Sequence, residues 1–402
     1  MNIRSLLMGS AAALVAVSGA QAADAVMAPE PEAVEYVRVC DAYGAGFFYI
    51  PGTETCLRIS GYVWYQLGAG GYEDPSATPG GGDTSSYHYG FAAQDGWLKS
   101  VRARVNFDAR SETEWGTLRS YVRFQASWNG VGDGPVAADQ AYIELGGFKM
   151  GYSESFWVDS GNGGPSNYGS HSWTGMYYGY QQRALIGYRF ESNGFFGAIS
   201  LEDDALAGEG YMPDVVAKLG YSGGWGAVWV KAAYDESFDG SVAPAYVGTP
   251  PNDGGFAAQI GAQFNIPNMP GSSLRVIGFY ADGANQYNVG GPNSDFLGAG
   301  VTPIYGGAEW SILASYNQQF SETLGASVSL QYFNDLYLFG SDFSTGTDAW
   351  AAEVSVVWVP VTNFEVRAEV GYQDVDDFSP LLAPVGDPNG TVSGFLRFTR
   401  YF

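Results

Sequence analysis

The sequence lacks any uninterrupted apolar run of about 18 residues, the length that a membrane-spanning helix requires. Without such helices, the chain can enter a bilayer only as a closed β-barrel, because backbone polar groups cannot stay unpaired in lipid. Basic residues are also few: 18 lysines and arginines stand against 42 aspartates and glutamates, giving a net charge of −24. Phosphate binding needs clustered basic side chains, so nucleic acid is not an expected partner.

Histidine and cysteine are scarce too, with two of each in 402 residues. His88 and His171 both lie in predicted long loops. The tripeptide Ser170-His171-Ser172 is not a catalytic triad, because the fold and not sequence adjacency brings triad members together. Two histidines and one cysteine pair offer no transition-metal ligand set. The sequence therefore predicts neither an enzyme nor a metal or other cofactor site.

The start of the chain predicts export. Arg4 precedes an apolar stretch, Leu6 to Val17, and the small-residue site Ala20-Gln21-Ala22 follows. This is the pattern of a secretory signal peptide over residues 1–22.

Three segments are therefore expected: the signal peptide, an N-terminal leader over residues 23–56 and a barrel over residues 57–402. Cys40 and Cys56 lie in the leader of an exported chain. We expect them to form a disulfide, because exported proteins meet an oxidising compartment.

Alternation of apolar and polar residues dominates the rest of the chain, in segments of about ten residues broken by Gly, Pro, Asn and Asp. A soluble sandwich strand shows the same period of two, so alternation alone does not tell which face meets lipid. Residues 97–107 are typical, with Val101, Ala103, Val105 and Phe107 on one face and Ser100, Arg102, Arg104 and Asn106 on the other.

The lengths of the connections decide between these alternatives. The links after even-numbered strands are mostly tight and those after odd-numbered strands are mostly long, which is the pattern of a bacterial outer-membrane barrel. We therefore predict an all-β fold, a sixteen-stranded antiparallel transmembrane β-barrel with short periplasmic turns and long extracellular loops. Its strands are expected near residues 57–68, 96–109, 115–128, 137–146, 147–153, 181–191, 194–203, 213–222, 224–235, 255–266, 272–282, 307–318, 322–335, 348–359, 362–374 and 391–402.

Four stretches of the chain carry a resemblance to known proteins: the signal segment, Pro29 to Cys40 continuing through Asp41 to Arg58, Gly210 to Val216, and the terminal Arg397 to Phe402. On these residues the chain resembles the general porins of alphaproteobacteria. The resemblance implies a homotrimer of sixteen-stranded barrels in the outer membrane. It also implies passive diffusion of ions and small hydrophilic solutes, and a third loop, about residues 154–180, folded into the lumen.

Arginines on the polar faces of several predicted strands would crowd one wall of such a lumen. Arginine cannot relieve this repulsion by losing a proton, so the cluster needs facing acids or an anion. One hypothesis is a constriction with a basic wall facing an acidic loop. The alternative is that the arginines only form structural ion pairs in a wide lumen. The candidate constriction residues are Arg58, Arg102, Arg104, Arg119, Arg123, Arg183, Arg189, Glu154 and Asp159.

The long acidic loops leave a second function class open, an adhesin or receptor that uses its loops as the working surface. The runs Glu202-Asp203-Asp204 and Asp374-Val375-Asp376-Asp377 lack the spacing of a dedicated cation site and predict a hydrated outer surface. Expected partners are membrane lipid, lipopolysaccharide and the permeating solutes.

Overall fold

The computed structural model describes thirteen parts of the chain: residues 38–71, 86–87, 98–128, 134–159, 169–173, 176, 181–203, 212–236, 254–283, 285–288, 305–338, 342–376 and 391–402. The predicted signal peptide and the leader up to residue 37 lie outside the described residues, as does His88. No helix in these described parts is long and apolar enough to cross a membrane.

Sixteen strands form the wall of a barrel in the described part of the chain. Two further two-residue strands, Phe48–Tyr49 and Ser86–Tyr87, pair with the first of them. The sixteen are β1 Cys56–Gly71, β2 Leu98–Thr113, β3 Gly116–Trp128, β4 Ala137–Leu145, β5 Phe148–Glu154, β6 Gln182–Ser192, β7 Phe195–Asp203, β8 Asp214–Gly223, β9 Gly226–Asp235, β10 Gly255–Asn265, β11 Ser273–Ala281, β12 Tyr305–Gln319, β13 Leu324–Leu338, β14 Ala349–Val361, β15 Phe364–Val375 and β16 Thr391–Tyr401.

Each strand pairs antiparallel with the next, and the last pairs with the first. In the β16–β1 pair, Tyr401 lies opposite Tyr62. The terminal Phe402 extends this pairing, because its N–H donates to Gly61 O at 3.1 Å and its carbonyl accepts from Gly61 N at 3.0 Å. The sheet therefore closes without a free edge, which a bilayer demands. The predicted sixteen-stranded antiparallel barrel is confirmed.

The connections alternate in length as predicted. At the short end, the turn between β6 and β7 uses Asn193 and Gly194 with φ of 51° and 85°. Positive φ at both central residues is the geometry of a tight two-residue hairpin, and Asn-Gly adopts it readily. The links after β1, β3, β5 and the other odd-numbered strands run to the opposite end and are mostly long.

The two faces of the wall differ in polarity. Outward side chains are large, apolar and exposed, for example Ile260, Val230 and Val354 at 68%, 48% and 51% exposure. An apolar outer surface of this kind matches the hydrocarbon of a bilayer. Polar and charged side chains occupy much of the inner face, so the sequence alternation is converted into a lipid side and a lumen side.

The N-terminal segment packs against the start of β1. A short 3₁₀ turn, Asp41–Tyr43, and the strand Phe48–Tyr49 bring Cys40 beside Cys56. The two cysteines form a disulfide with a Cα–Cα separation of 6.0 Å and are buried with Phe47. The predicted disulfide is confirmed.

Reducing this disulfide should loosen the leader and leave the barrel wall intact. The bond closes a loop with a sequence separation of 16 residues, and in the chain-entropy model such a closure is worth about 3 kcal/mol. We expect chymotrypsin to cleave at Phe47 or Phe48 in the Cys40→Ser, Cys56→Ser variant and not in the oxidised protein. Equal cleavage of both forms would show that packing alone holds the segment.

Candidate functional site

The inner faces of β1 to β3 carry five of the seven predicted arginines, and Asp108 is the acid that pairs with two of them, Arg58 and Arg119. This carboxylate is 1% exposed. It accepts two hydrogen bonds from Arg110, at 2.9 and 2.8 Å, and two from Arg119, at 2.8 and 3.0 Å. Arg58 adds a third guanidinium at 3.5 Å. One carboxylate therefore holds three cations, which leaves an excess of positive charge.

Asp108 and Arg110 were missed in the candidate list. Both belong to the polar face of the alternating segment that continues from Asn106. Continuing the period-two alternation for two further inward positions, residues 108 and 110, identifies both of them.

The two predicted acids of the third loop contact predicted arginines. Glu154, the last residue of β5, lies 3.4 Å from Arg123, which also pairs with Asp139. Asp159 accepts from Arg189 at 3.0 Å and from Lys149 at 2.9 Å.

A second carboxylate, Glu144 on β4, connects the Asp159 pair to the Asp108 group. It accepts from Arg119 at 2.8 Å and forms an ion pair with Arg189. A network of alternating charges therefore runs across the inner faces of β2 to β6.

The remaining predicted arginines have mainly neutral partners. Arg104 donates to Gln125 Oε1 at 3.0 Å and lies 3.8 Å from Asp139. Arg102 Nε donates to Ser127 Oγ at 3.0 Å. These two side chains lie on β2 beside the network.

Arg183 lies apart from this group, on β6. Its Nη2 donates to Gln181 Oε1 at 2.7 Å and to Gln286 Oε1 at 3.4 Å. The structure therefore brings most of the candidate residues into one wall and places Arg183 in a different environment.

The segment after β5 turns into the lumen. Phe156, Trp157 and Val158 are each 1% exposed. Phe156 N donates to Glu202 Oε1 on β7 at 2.8 Å, and Lys231 on β9 donates to the carbonyl of Trp157 at 2.8 Å.

Residues 169–173 continue to the far side of the barrel. Arg275 on β11 donates to the carbonyls of Gly169 and Ser170 at 2.7 and 2.9 Å. Trp173 N donates to Glu369 on β15 at 2.6 Å. Because β5, β11 and β15 are not neighbours in the sheet, a single segment reaches all three only through the lumen. The predicted inward-folded third loop is confirmed, and residues 155–159 and 169–173 are called the inward loop below.

His171 fixes the inward loop to the wall through both ring nitrogens. Nδ1 lies 2.6 Å from Ser315 Oγ, and Nε2 lies 2.8 Å from Ser273 Oγ. Ser315 Oγ already accepts from His171 N at 3.0 Å and from Ser329 Oγ at 2.9 Å. With both lone pairs engaged, the Ser315 hydroxyl can only donate to Nδ1. The network therefore requires a neutral imidazole with its proton on Nε2.

Electrostatics agree with this assignment. Burial, and secondarily the positive charge of Arg275, lowers the pKa of His171 to about 3. A neutral histidine held between serine hydroxyls positions the loop, and among the described residues it has no carboxylate partner of the kind that orients a catalytic histidine.

A second inward element, residues 285–288, was not predicted. Tyr287 is 1% exposed and donates to Asp214 Oδ2 at 2.8 Å. Its ring packs edge-on against Trp157 at 5.9 Å between centroids. Burial, followed by the charges of Glu202 and Asp214, raises the pKa of Tyr287. The predicted loop around this residue is rich in Gly and Asn, and no sequence pattern distinguishes one tyrosine within it.

A closed barrel with an apolar outside, a charged inside and a loop folded into the lumen defines an outer-membrane diffusion channel of the porin type. The family model described as "Porin subfamily" matches residues 24–393. Porin Omp2a of Brucella canis is 46% identical over alignments that cover 100% of both chains. Porin Omp2b of Brucella neotomae is 38% identical, also over 100% of both. The chain belongs to the porin subfamily, and it is a channel of the outer membrane and not an enzyme.

Solved structures share the fold. The outer-membrane channel DcaP of Acinetobacter baumannii superposes with a TM-score of 0.55 at 12% identity, covering 88% of this chain and 99% of that one. The anion-selective porin from Comamonas acidovorans gives a TM-score of 0.52 at 10% identity, covering 87% of this chain and 100% of that one. At such identities the comparison extends to the fold alone.

Proposed function

We propose that the diffusion path is narrowest between the inward loop and a basic wall formed by Arg58, Arg102, Arg104, Arg119 and Arg123. The path carries ions and small hydrophilic solutes down their gradients. The observation that supports this most strongly is the route of residues 169–173, which contact β11, β12 and β15 and so leave the inner faces of β1 to β3 as the open side.

The charges of this wall support a local preference for anions, although the net charge of the protein is negative. Glu154 and Asp159 pair with Arg123 and Arg189, so the loop acids neutralise one edge of the wall. Arg58, Arg102 and Arg104 lie beyond that edge. The Arg58 side chain is 38% exposed and shares Asp108 with two other arginines. Charges of this kind lining a narrow, wet path set ion preference.

Neutralising the open part of the basic wall should shift ion selectivity toward cations. In the double variant Arg58→Gln, Arg104→Gln we expect the ratio of cation to anion permeability to rise roughly fourfold per charge removed, since a unit charge about 10 Å away in water contributes near 0.4 kcal/mol, with opposite sign for a cation and an anion. Reversal potentials in planar bilayers under a potassium chloride gradient measure this ratio. Lys99→Gln removes a positive charge from the outward face of β2 and serves as the control. An unchanged reversal potential in the double variant would contradict the role of the wall.

We propose that the assembly is a homotrimer with lipid on its outward apolar face and lipopolysaccharide around its long loops. A solved structure of OmpT of Vibrio cholerae, described as a trimer form, has a TM-score of 0.50 to this chain and supports the proposal at the level of fold. Voltage-induced closure of purified channels should occur in three equal conductance steps. A single step per insertion would contradict the trimer.

A further inference from the structure

Trp64 lies on the inner face of β1 between two arginines of the neighbouring strands. The guanidinium carbon of Arg102 on β2 is 5.3 Å from its ring centroid, and that of Arg397 on β16 is 4.8 Å away. Trp173 of the inward loop covers Arg397 at 3.7 Å. These four residues, called the Trp64 cluster, lie where the inward loop meets the basic wall.

The two arginines of the cluster hydrogen-bond only to neutral acceptors among the described residues. Arg102 Nε donates to Ser127 Oγ, and Arg397 Nε donates to Gln66 Oε1 at 2.7 Å. Neither takes part in an ion pair in the described part of the chain, whereas Arg104, Arg119 and Arg123 on the same wall do. Buried cations are normally paired, because desolvating an unpaired charge is costly.

Glu369, on the neighbouring strand β15, already accepts from other donors. Glu369 accepts from Trp173 N, from Ser355 Oγ at 3.0 Å and from Arg367 at 3.3 Å. It therefore stabilises the loop contact and the neighbouring arginine.

The indole N–H of Trp64 is a third group that needs an acceptor. Trp64 is 6% exposed, and its Nε1 has no hydrogen-bond partner among the described residues. A buried indole N–H usually finds an acceptor. Trp229, also on the inner face, does so by donating to Gln259 Oε1 at 2.9 Å.

One kind of ligand meets all three requirements, an acceptor that carries negative charge. We propose that the Trp64 cluster binds an oxyanion group, carboxylate or phosphate, of a solute that passes through the channel. The oxyanion oxygens accept from Trp64 Nε1 and from the terminal guanidinium nitrogens of Arg102, and the charge of Arg397 adds to the attraction. This site rests on the proposed path between the inward loop and the basic wall.

Single-channel recording of the purified full-length protein in potassium chloride tests the site. Acetate and inorganic phosphate, added separately, should reduce the chloride current saturably, and acetamide, a neutral molecule of the size of acetate, should not. Trp64→Phe keeps the ring and removes the N–H, and Arg102→Gln removes the charge. Each should raise the half-blocking concentration about tenfold or more, as expected for a lost hydrogen bond to a charged group.

Matched controls separate this site from general effects. Trp229→Phe removes an indole N–H that already has an acceptor, and Lys99→Gln removes a charge outside the lumen. Both variants should have the same half-blocking concentrations as the wild type. Heat-dependent mobility on gels confirms that each variant is folded, and the two cluster variants test the site independently of one another. Block by only one of the two anions identifies that anion as the ligand class.

Three results would overturn the site: equal block by acetamide, unchanged half-blocking concentrations in both cluster variants, or a conducting wild type without saturable block. In the last case the channel function stands and only the oxyanion site fails. A wild type that does not conduct would instead overturn the proposed function.

Discussion

Lowering the pH from 7 to 5 should release residues 169–173 from the inner wall and make the channel current unstable. His171 is held between Ser315 and Ser273 as the neutral imidazole, and a proton on Nδ1 would face a hydroxyl whose lone pairs are already occupied. Arg275 on β11 holds the adjacent carbonyls and adds a repelling charge. Protonation is therefore compatible only with a displaced loop.

The direction of the effect follows from the two pKa values. In the docked loop the pKa of His171 is lowered to about 3, whereas an undocked, hydrated histidine titrates near 6.5. As the pH falls, the undocked loop takes up the proton first, so docking is most stable above about pH 6.5 and weakens as the pH falls toward 3. At pH 5 the lost docking free energy is about 2 kcal/mol, while most carboxylates remain ionised.

Single-channel recordings at pH 7, 6 and 5 measure this release as brief closures that become more frequent with acidity. His171→Gln keeps a donor and an acceptor but does not titrate, so it should show no increase between pH 7 and 5. His88→Gln removes the only other histidine of the sequence and should respond like the wild type. The same acid response in His171→Gln as in the wild type would refute the assignment.

Replacing Asp108 by Asn should destabilise the barrel more than any change at an exposed ion pair. The carboxylate pairs with Arg58, Arg110 and Arg119 and is 1% exposed. Asn has the same size, so the variant leaves three guanidiniums together without their shared negative charge. Breaking a buried ion pair from one side costs about 3 to 5 kcal/mol.

The midpoint of urea unfolding in detergent measures this loss. Glu54→Gln is the matched control, because Glu54 and its partner Arg38 have side chains that are 88% and 61% exposed at 3.8 Å, and such pairs contribute about 0 to 1 kcal/mol. Equal midpoints for Asp108→Asn and Glu54→Gln would show that water in the lumen solvates the arginine charges well enough to replace the carboxylate. The double variant Asp108→Asn, Arg119→Gln should recover part of the loss by removing one of the cations.

The local pattern of the chain was sufficient to predict the wall of the barrel. Period-two alternation places side chains on a lipid face or a lumen face without reference to any distant residue. Short turns such as Asn193-Gly194 are encoded by two residues. The predicted strands therefore agree with the observed ones to within a few residues at most ends, and the arginines of β2 and β3 lie on the face that alternation assigned to them.

Contacts inside the lumen could not be predicted in this way. The partners of His171 are 102 and 144 residues away along the chain, and the contact of Trp173 with Glu369 spans 196 residues. Family resemblance predicted that the third loop folds inward, but no local pattern encodes which strands it reaches. The inward position of Tyr287 had no local signal at all.

By itself, the sequence determined an exported, closed, sixteen-stranded antiparallel barrel and the face of the wall on which each charge lies, because alternation and turn chemistry act over a few residues. Only the tertiary structure decided which charges meet: it gave Asp108 three arginines, paired the loop acids with Arg123 and Arg189, and left Arg102 with a neutral hydrogen-bond partner, Ser127. Closing the sheet brings distant strands around one lumen. The inward loop then contacts particular strands through hydrogen bonds between residues that are far apart in the sequence, so no local pattern encodes them.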